Sequence, residues 1–260
     1  MRTHTEFLVK TVFDSAAIIK EDFTITEKDD SGDLVTCLDL AVETYIIDKV
    51  KEAYPTFDIV SEEFNSSEDV TDNCFVIDPL DGTINFAHGL PLWGIQVAMI
   101  ENKETVCSVI YLPRLGELYF ADPDGAWRID HPTADMLSLE HAKEISVNHR
   151  SVNKTLYLVE GGYKFPALCK LNDFSRHWRF FCCTAVNSAW TACGRLGGTI
   201  LRKDNVWDWL PGQYLVQQAG GFIINKKGAH IAANCEMMAE LLLKDGALTE
   251  WDTQQKANIS

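Results

Sequence analysis

Nine consecutive residues, Asp78-Pro79-Leu80-Asp81-Gly82-Thr83-Ile84-Asn85-Phe86, constrain this chain more than any other part of it. The apolar run from Cys74 to Ile77 ahead of them reads as a buried strand that Asp78-Pro79 ends. Two carboxylates therefore follow a buried strand, three residues apart across a proline turn. Pro79 fixes its own φ and restrains Asp78, so that Asp78 and Asp81 can converge on one side. Carboxylates that close repel unless a cation lies between them. Hard oxygen ligands select Mg²⁺, Mn²⁺ or Ca²⁺. Gly82 leaves room for a ligand at the backbone, Thr83 adds a hydroxyl, and the helix start that follows offers N–H groups to an anion. A turn with capping acids explains Asp-Pro-x-Asp taken alone, but not the separate chemistry of all nine positions.

The string sits among alternating helix and strand signals. Leu8, Val12 and Ile19 recur at helical spacing over residues 3–23. Leu38, Val42, Ile46, Val50 and Tyr54 define a second helix over about 39–54, stopped by Pro55. Residues 57–60 form a short strand candidate. Strand patterns follow at 93–101, 105–113 and 116–122, with the segment 113–117 as a hairpin connection; residues 123–148 carry little signal. Further on, strands are expected at 155–159, 197–201 and 222–225, and helices over 184–196, 208–218 and 234–245. Helices mixed with mostly antiparallel sheet signals imply a layered α+β sandwich. The 260 residues suffice for one large domain or two intimate lobes.

The formal net charge of -15 argues against binding to nucleic-acid backbones or anionic membranes. The densest basic stretches, Arg176 to Arg179 and Lys226-Lys227, are short. An anionic substrate therefore needs another source of positive charge, such as a metal ion. No apolar run reaches the roughly 18–20 residues of a membrane-spanning helix. The N-terminal segment carries Glu6 and no small-residue cleavage site, so a cytoplasmic protein is expected, with no nucleic-acid and no membrane partner. The eight cysteines form no CxxC pair and sit mostly in apolar segments. They read as small buried hydrophobes rather than a disulfide framework. The histidines show neither HxxxH nor HExxH spacing, which leaves Asp and Glu as the ligand set.

DPLDGTINF resembles the signature of the inositol monophosphatase family, within the wider group of lithium-sensitive, metal-dependent phosphatases. Three more segments are similar to family elements in the same order. Gly32 to Asp39 (GDLVTCLD) resembles DLVTxxD, and Ser61-Glu62-Glu63 resembles G-E-E with Ser in place of Gly. Trp207-Asp208 with Gln217 to Gly221 (QQAGG) resembles W-D … EAGG. The likeness runs from about residue 28 to 224. It implies a layered αβαβα sandwich of the inositol monophosphatase and fructose bisphosphatase kind. The two lobes would be residues 1–145 and 146–260, with the metal site in the cleft between them.

The resemblance further implies that Glu63, Asp78 and the Leu80 carbonyl hold a first Mg²⁺, and that Asp78, Asp81 and Asp208 hold a second. A third, weaker ion would lie near Glu63. Asp39 and Thr83 would orient the attacking water, and the N–H groups of Gly82 and Thr83 would hold the phosphate. Lys28 falls where the family often has a lysine near the metal-site loop, and family members are commonly homodimers. Each residue has a plainer alternative. Glu62 and Glu63 open an acid-rich loop and could be a solvated face; Asp39 and Asp208 could be helix caps; Lys28 lies in a charged stretch.

The implied activity is Mg²⁺-dependent hydrolysis of a small sugar, polyol or inositol phosphate. In inositol-specific members an acidic residue stands seven positions before the Trp-Asp aspartate; here that position is Leu201, followed by Arg202 and Lys203. The family's G-[ST]-A-A element appears as Cys182-Cys183-Thr184-Ala185. The expected pocket wall of Thr184, Leu201 and Arg202 thus departs from the family where alcohol selectivity is set. A basic Arg202 would favour a second anionic group, above all if Arg176, His177 and Arg179 also faced the site. That keeps fructose-1,6-bisphosphatase and 3′-phosphoadenosine 5′-phosphate phosphatase open as alternatives, beside histidinol-phosphatase. A non-catalytic metal-binding homologue is a further reading, opposed by the presence of every ligand position.

Overall fold

A computed structural model of the chain describes residues 2–20, 24–27, 34–66, 69–151, 154, 156–160, 178–201, 205–226, 229–237 and 239–240. Helix α1 (Thr3–Ser15) runs into a 3-10 turn (Ala16–Ile18), and the ribbon β1 (Ile25–Glu27) and β2 (Leu34–Thr36) leads into α2 (Cys37–Ala53). Then come β3 (Asp58–Ser61), β4 (Cys74–Asp81), the short helix α3 (Thr83–Ala87), β5 (Gly94–Glu101), β6 (Glu104–Leu112), β7 (Glu117–Asp122), β8 (Gly125–Asp130) and β9 (Lys143–Glu144). The second half holds β10 (Tyr157–Glu160), β11 (Trp178–Arg179), α4 (Thr184–Ala192), β12 (Gly198–Leu201), α5 (Val206–Gln218), β13 (Phe222–Lys226) and β14 (Ala229–Ala233).

Two sheets and two helix pairs alternate as layers. The first sheet has the order β3-β4-β5-β6-β7-β8-β9, and the second β11-β10-β12-β14-β13. In the first, β3 and β4 are parallel and every later pair is antiparallel. Leu8 and Val12 of α1 and Val42 and Ile46 of α2 pack on one face, against Phe75, Ile77, Val97 and Val109. Ala185 and Ala189 of α4 and Leu215 of α5 pack on the other, against Ile110, Leu112 and Tyr119, and reach Ala232 of the second sheet. Successive residues of β6 thus serve opposite cores, Val109 and Tyr111 one way, Ile110 and Leu112 the other. A strand covered on both faces reads as a continuous apolar run, as these do.

The largest departure from expectation lies in β4. It does not stop at Ile77 but runs through Asp81, buried along its length. Its ladder with β5 shifts between Asp78, opposite Gln96, and Asp81, opposite Gly94. Three residue steps on β4 therefore match two on β5, which is a bulge. In a regular strand, residues three apart point to opposite faces. The extra residue cancels that, so Asp78 and Asp81 lie on the one face that Gln96 and Gly94 share. Pro79, which has no N–H to give a ladder, sits inside the irregular stretch where none is required.

Smaller corrections follow the same logic. Residues 123–148 contain β8, which pairs with β7 across a tight turn, and β9. Strand β14 is small-residue rich, with little β propensity to announce it. Helix α4 ends at Ala192; Asp39 caps α2 together with Thr36 in a capping box, whereas Asp208 is not a cap, since Asn205 occupies the cap position of α5. Lys28, Arg176, His177, Arg202 and Lys203, and half of the helix expected over 234–245, lie outside the described residues. None of the described cysteines is in a disulfide. Among the described residues no helix is long and apolar enough to cross a membrane.

Helices α4 and α5 approach closely at Gly212, where a Cβ would collide with Oγ and Cβ of Ser188. Overpacking at such a contact costs about 1–3 kcal/mol. Gly212→Ala is expected to lower the urea midpoint accordingly, and Ser188→Gly in the same chain to restore part of the loss.

Candidate metal centre

The bulge delivers Asp78 and Asp81 to the face against which α4 and α5 pack, and the first turn of α5 brings Asp208 to them. One carboxylate oxygen from each of the three lies within 4.8 Å of the others, and all three residues are buried. Asp208 can point there because the start of α5 is held by backbone, its own N–H donating to the Asn205 carbonyl at 3.2 Å. Burial pushes the Asp78 carboxyl well above the ordinary carboxylate range, and the charges of Glu62, Asp81 and Asp208 push it further. A divalent cation reverses both effects, since it removes the repulsion and supplies the missing solvation. Three oxygen donors with no histidine or thiolate among them suit Mg²⁺ or Mn²⁺.

Neutral donors hold the two β4 carboxylates in place. Asp78 accepts from the Leu80 N–H (3.2 Å) and from Gln96 Nε2 (3.2 Å). Asp81 accepts from Thr184 Oγ1 (3.0 Å), from the Ala185 N–H and from Cys183 Sγ (3.2 Å). Gln96 Nε2 also donates to Thr184 Oγ1 at 3.1 Å, so one amide links the carboxylate of Asp78 to the hydroxyl that holds Asp81. The start of α4 is thereby bound to the first sheet through the acidic cluster.

Asp39 and Thr83 lie beside this cluster. The Asp39 side chain closes the N-terminus of α2 by accepting from the Thr36 N–H (2.8 Å) and the Thr36 hydroxyl. Its other oxygen is 3.4 Å from Thr83 Oγ1, which reaches the Leu80 carbonyl at 2.9 Å. Burial raises the Asp39 carboxyl, against the lowering by its Thr36 hydrogen bonds. Gly82 has φ +85, and a Cβ there would meet the Leu92 carbonyl at 2.9 Å and the Cys183 side chain at 3.2 Å. The position therefore requires glycine for conformation and for space.

Glu63 is not part of the three-carboxylate cluster. The charge of Glu62 raises both Asp78 and Asp39. The loop of Glu62 and Glu63 is clamped by Glu43 of α2, which accepts from Ser61 Oγ (2.5 Å) and the N–H groups of Glu63 (2.9 Å) and Phe64 (2.8 Å). Asn85 clamps the opposite rim, donating to the carbonyls of Leu92 (2.7 Å) and Phe181 (2.6 Å).

Beside Asp208, a cavity between α4, α5 and the second sheet is lined by Thr184, Leu201, Trp209, Gln213 and His230, among others. Arg202 lies outside the described residues, and the described member of the proposed basic cluster, Arg179, is exposed. Sequence reasoning passed over Gln96, Glu43 and Asn85. The first two carry a readable signal, a polar residue in the apolar run GIQVAMI and an acid one helical turn beyond Asp39.

The family model described as the inositol monophosphatase family matches residues 1–257. The chain is 31% identical over 209 residues to a fructose-1,6-bisphosphatase/inositol-1-monophosphatase of Thermotoga maritima, covering 78% of this chain and 76% of the relative. It is 30% identical over 244 residues to an inositol-1-monophosphatase of Synechocystis, covering 90% and 84%. It is 31% identical over 207 residues to the Escherichia coli Nus factor SuhB, covering 77% and 74%. The solved structure of a Thermotoga maritima IMPase superposes with a TM-score of 0.82 at 23% identity, over 96% of this chain and 99% of that one.

A carboxyl whose folded pKa is raised binds more protons folded than unfolded, so its contribution is favourable in acid and is lost as pH rises through the folded value. In chelator, the melting temperature of the wild type is expected to fall as pH rises from the ordinary carboxylate range through the raised Asp78 value. Asp78→Asn should fall less and melt higher than wild type at the upper end. Saturating Mg²⁺ should raise the wild-type melting temperature and leave the variant nearly unmoved. Thermal melts across pH, with and without Mg²⁺, check both statements.

Proposed function

This chain belongs to the inositol monophosphatase family and is a phosphomonoesterase, and we propose that it hydrolyses the phosphate monoester of a small metabolite in a Mg²⁺-dependent reaction. The convergence of Asp78, Asp81 and Asp208 carries this reading, because three buried carboxylates within 4.8 Å are not all ionised together without cations. Asp78, Asp81 and Asp208 would hold Mg²⁺, joined by the Leu80 carbonyl and by Glu63, for two or three ions in all. Ions held there would supply positive charge for the phosphate and the departing alkoxide and would lower the pKa of a bound water.

The chain's own residues have distinct tasks in this scheme. Thr83, within reach of both the Leu80 carbonyl and Asp39, orients the attacking water, and the Asp39 carboxylate takes up its proton by way of the Thr83 hydroxyl. The N–H groups of Gly82 and Thr83 hold phosphate oxygens, where Gly82 permits close approach. Gln96 and Thr184 keep Asp78 and Asp81 at fixed separation. Glu43 sets the backbone from which Glu62 and Glu63 extend. The protein acts in the cytoplasm, as a homodimer, on a substrate that is neither nucleic acid nor membrane lipid.

The test is phosphate release from a panel of small phosphate monoesters, with Mg²⁺ and with chelator. Mg²⁺-dependent release is expected, reduced about 10³-fold or more in kcat by Asp81→Asn. Release from wild type that persists in chelator would contradict the proposal. Glu62→Gln and Glu63→Gln, assayed over a range of Mg²⁺ concentration, separate the two neighbours. Glu63→Gln is expected to require more Mg²⁺ for half-maximal rate, and Glu62→Gln to lose rate without that shift.

A further inference from the structure

The cavity beside Asp208 has about 10 Å³ for the centre of a water-sized sphere, which is room for one water and for no larger ligand. Asp208 and Trp209, consecutive residues in the first turn of α5, both border it, together with the hydroxyl-bearing Ser188 of α4 and Thr199 of β12. The Trp209 ring is held in place. Its indole lies flat on the His230 imidazole, with centroids 4.4 Å apart and planes at 7°. His230 is fixed in turn by Asn225, whose Oδ1 is 3.0 Å from His230 Nδ1 and accepts from Gln213 Nε2 at 2.8 Å. Gln213 stands one helical turn beyond Trp209, so α5 and the strands β13 and β14 together lock the stack. Among the described residues, the Trp209 indole N–H is buried without a hydrogen-bond partner. An indole N–H only donates, and nearly every buried donor in a folded protein is served by a protein acceptor or by an ordered water.

We propose that Trp209 is a positioning residue for the metal centre: its N–H holds one water in this cavity, and that water donates to the Asp208 carboxylate and fixes its direction toward Asp78 and Asp81. The proposal rests on the reading of Asp208 as a metal ligand. One Asp208 oxygen comes within 4.8 Å of oxygens of Asp78 and Asp81. A carboxylate accepts at both oxygens, so a water on the cavity side does not compete with a cation on the cluster side. Water has the two complementary functions that the place requires, accepting from the indole and donating to the carboxylate, with the hydroxyls of Ser188 and Thr199 as further partners. A cation there would meet the positive end of the N–H dipole, and an anion would meet Asp208. Neutral donors steady the other two carboxylates, Gln96 for Asp78 and Thr184 for Asp81. The water gives Asp208 an equivalent donor. Outer partners of this kind set metal affinity, because they fix the direction of the ligand.

Trp209→Phe keeps an aromatic face on His230 and removes the N–H. Mn²⁺ binding to the purified protein, read by electron paramagnetic resonance, reports on the centre without turnover. Wild type is expected to bind Mn²⁺, and Trp209→Phe to bind it about tenfold or more weakly. Val12→Ala, in the core beneath α1, controls for lost stability, and should melt lower with its Mn²⁺ affinity unmoved. A crystal structure of the wild type is expected to show one ordered water within hydrogen-bond distance of Trp209 Nε1 and of an Asp208 oxygen. Equal Mn²⁺ affinity in wild type and folded Trp209→Phe, an equal loss in Val12→Ala, or a wild-type crystal without that water overturns the inference and leaves the metal centre standing. If Trp209→Phe does not fold, the crystal structure decides. No Mn²⁺ binding by the wild type overturns the inference together with the Mg²⁺-dependent reading on which it rests.

Discussion

The structure is arranged around a repulsion. Asp78, Asp81 and Asp208 are buried with oxygens within 4.8 Å of one another. Two unit charges about 4 Å apart repel by about 4 kcal/mol at an effective dielectric constant of about 20. A cluster of three such charges rivals the whole margin of about 5–15 kcal/mol by which domains are stable. The chain can keep them together only by holding protons, as the raised Asp78 carboxyl indicates, or by taking up cations. A protein that buries such a cluster and surrounds it with neutral donors has traded stability for a site.

The same cluster joins the two sheets. Asp78 and Asp81 come from a strand of the first, while Asp208, Thr184 and the wall of the neighbouring cavity come from helices that lie between the sheets. Gln96 to Thr184 to Asp81 is one hydrogen-bonded chain across that boundary, and Asn85 to the Phe181 carbonyl is another. A ligand that draws the carboxylates together therefore also tightens the seam. The cavity inherits its position from this seam, because Thr184 and Asp208 belong to both.

Much of the site was legible because each position in DPLDGTINF has its own physical reason: two acids, a proline restraint, a glycine with φ +85 and a hydroxyl beside Asp39. The layered α+β class was legible from alternating helix and strand patterns. The common facing of Asp78 and Asp81 was not, because it comes from a bulge, and a bulge is defined only by the register of the partner strand. Gln96 and Glu43 carried a local signal, as polar residues at otherwise apolar or helix-facing positions, but their roles, like that of Asn85, are set by partners far along the chain, such as Thr184 for Gln96 and Phe181 for Asn85. Asp208 at the start of a helix looks like a cap, and only the resemblance singled it out. The structure shows that backbone already holds the start of that helix. Strand β14 was hidden by its small side chains, and with it His230, the partner of Trp209.

The most direct measurement is a crystal grown with Mn²⁺ and examined by anomalous scattering at the manganese edge. The account predicts peaks among the carboxylates of Asp78, Asp81 and Asp208, lost in crystals of Asp81→Asn. Saturating Mn²⁺ that leaves this position empty, or that scatters only elsewhere on the acidic surface, would contradict it.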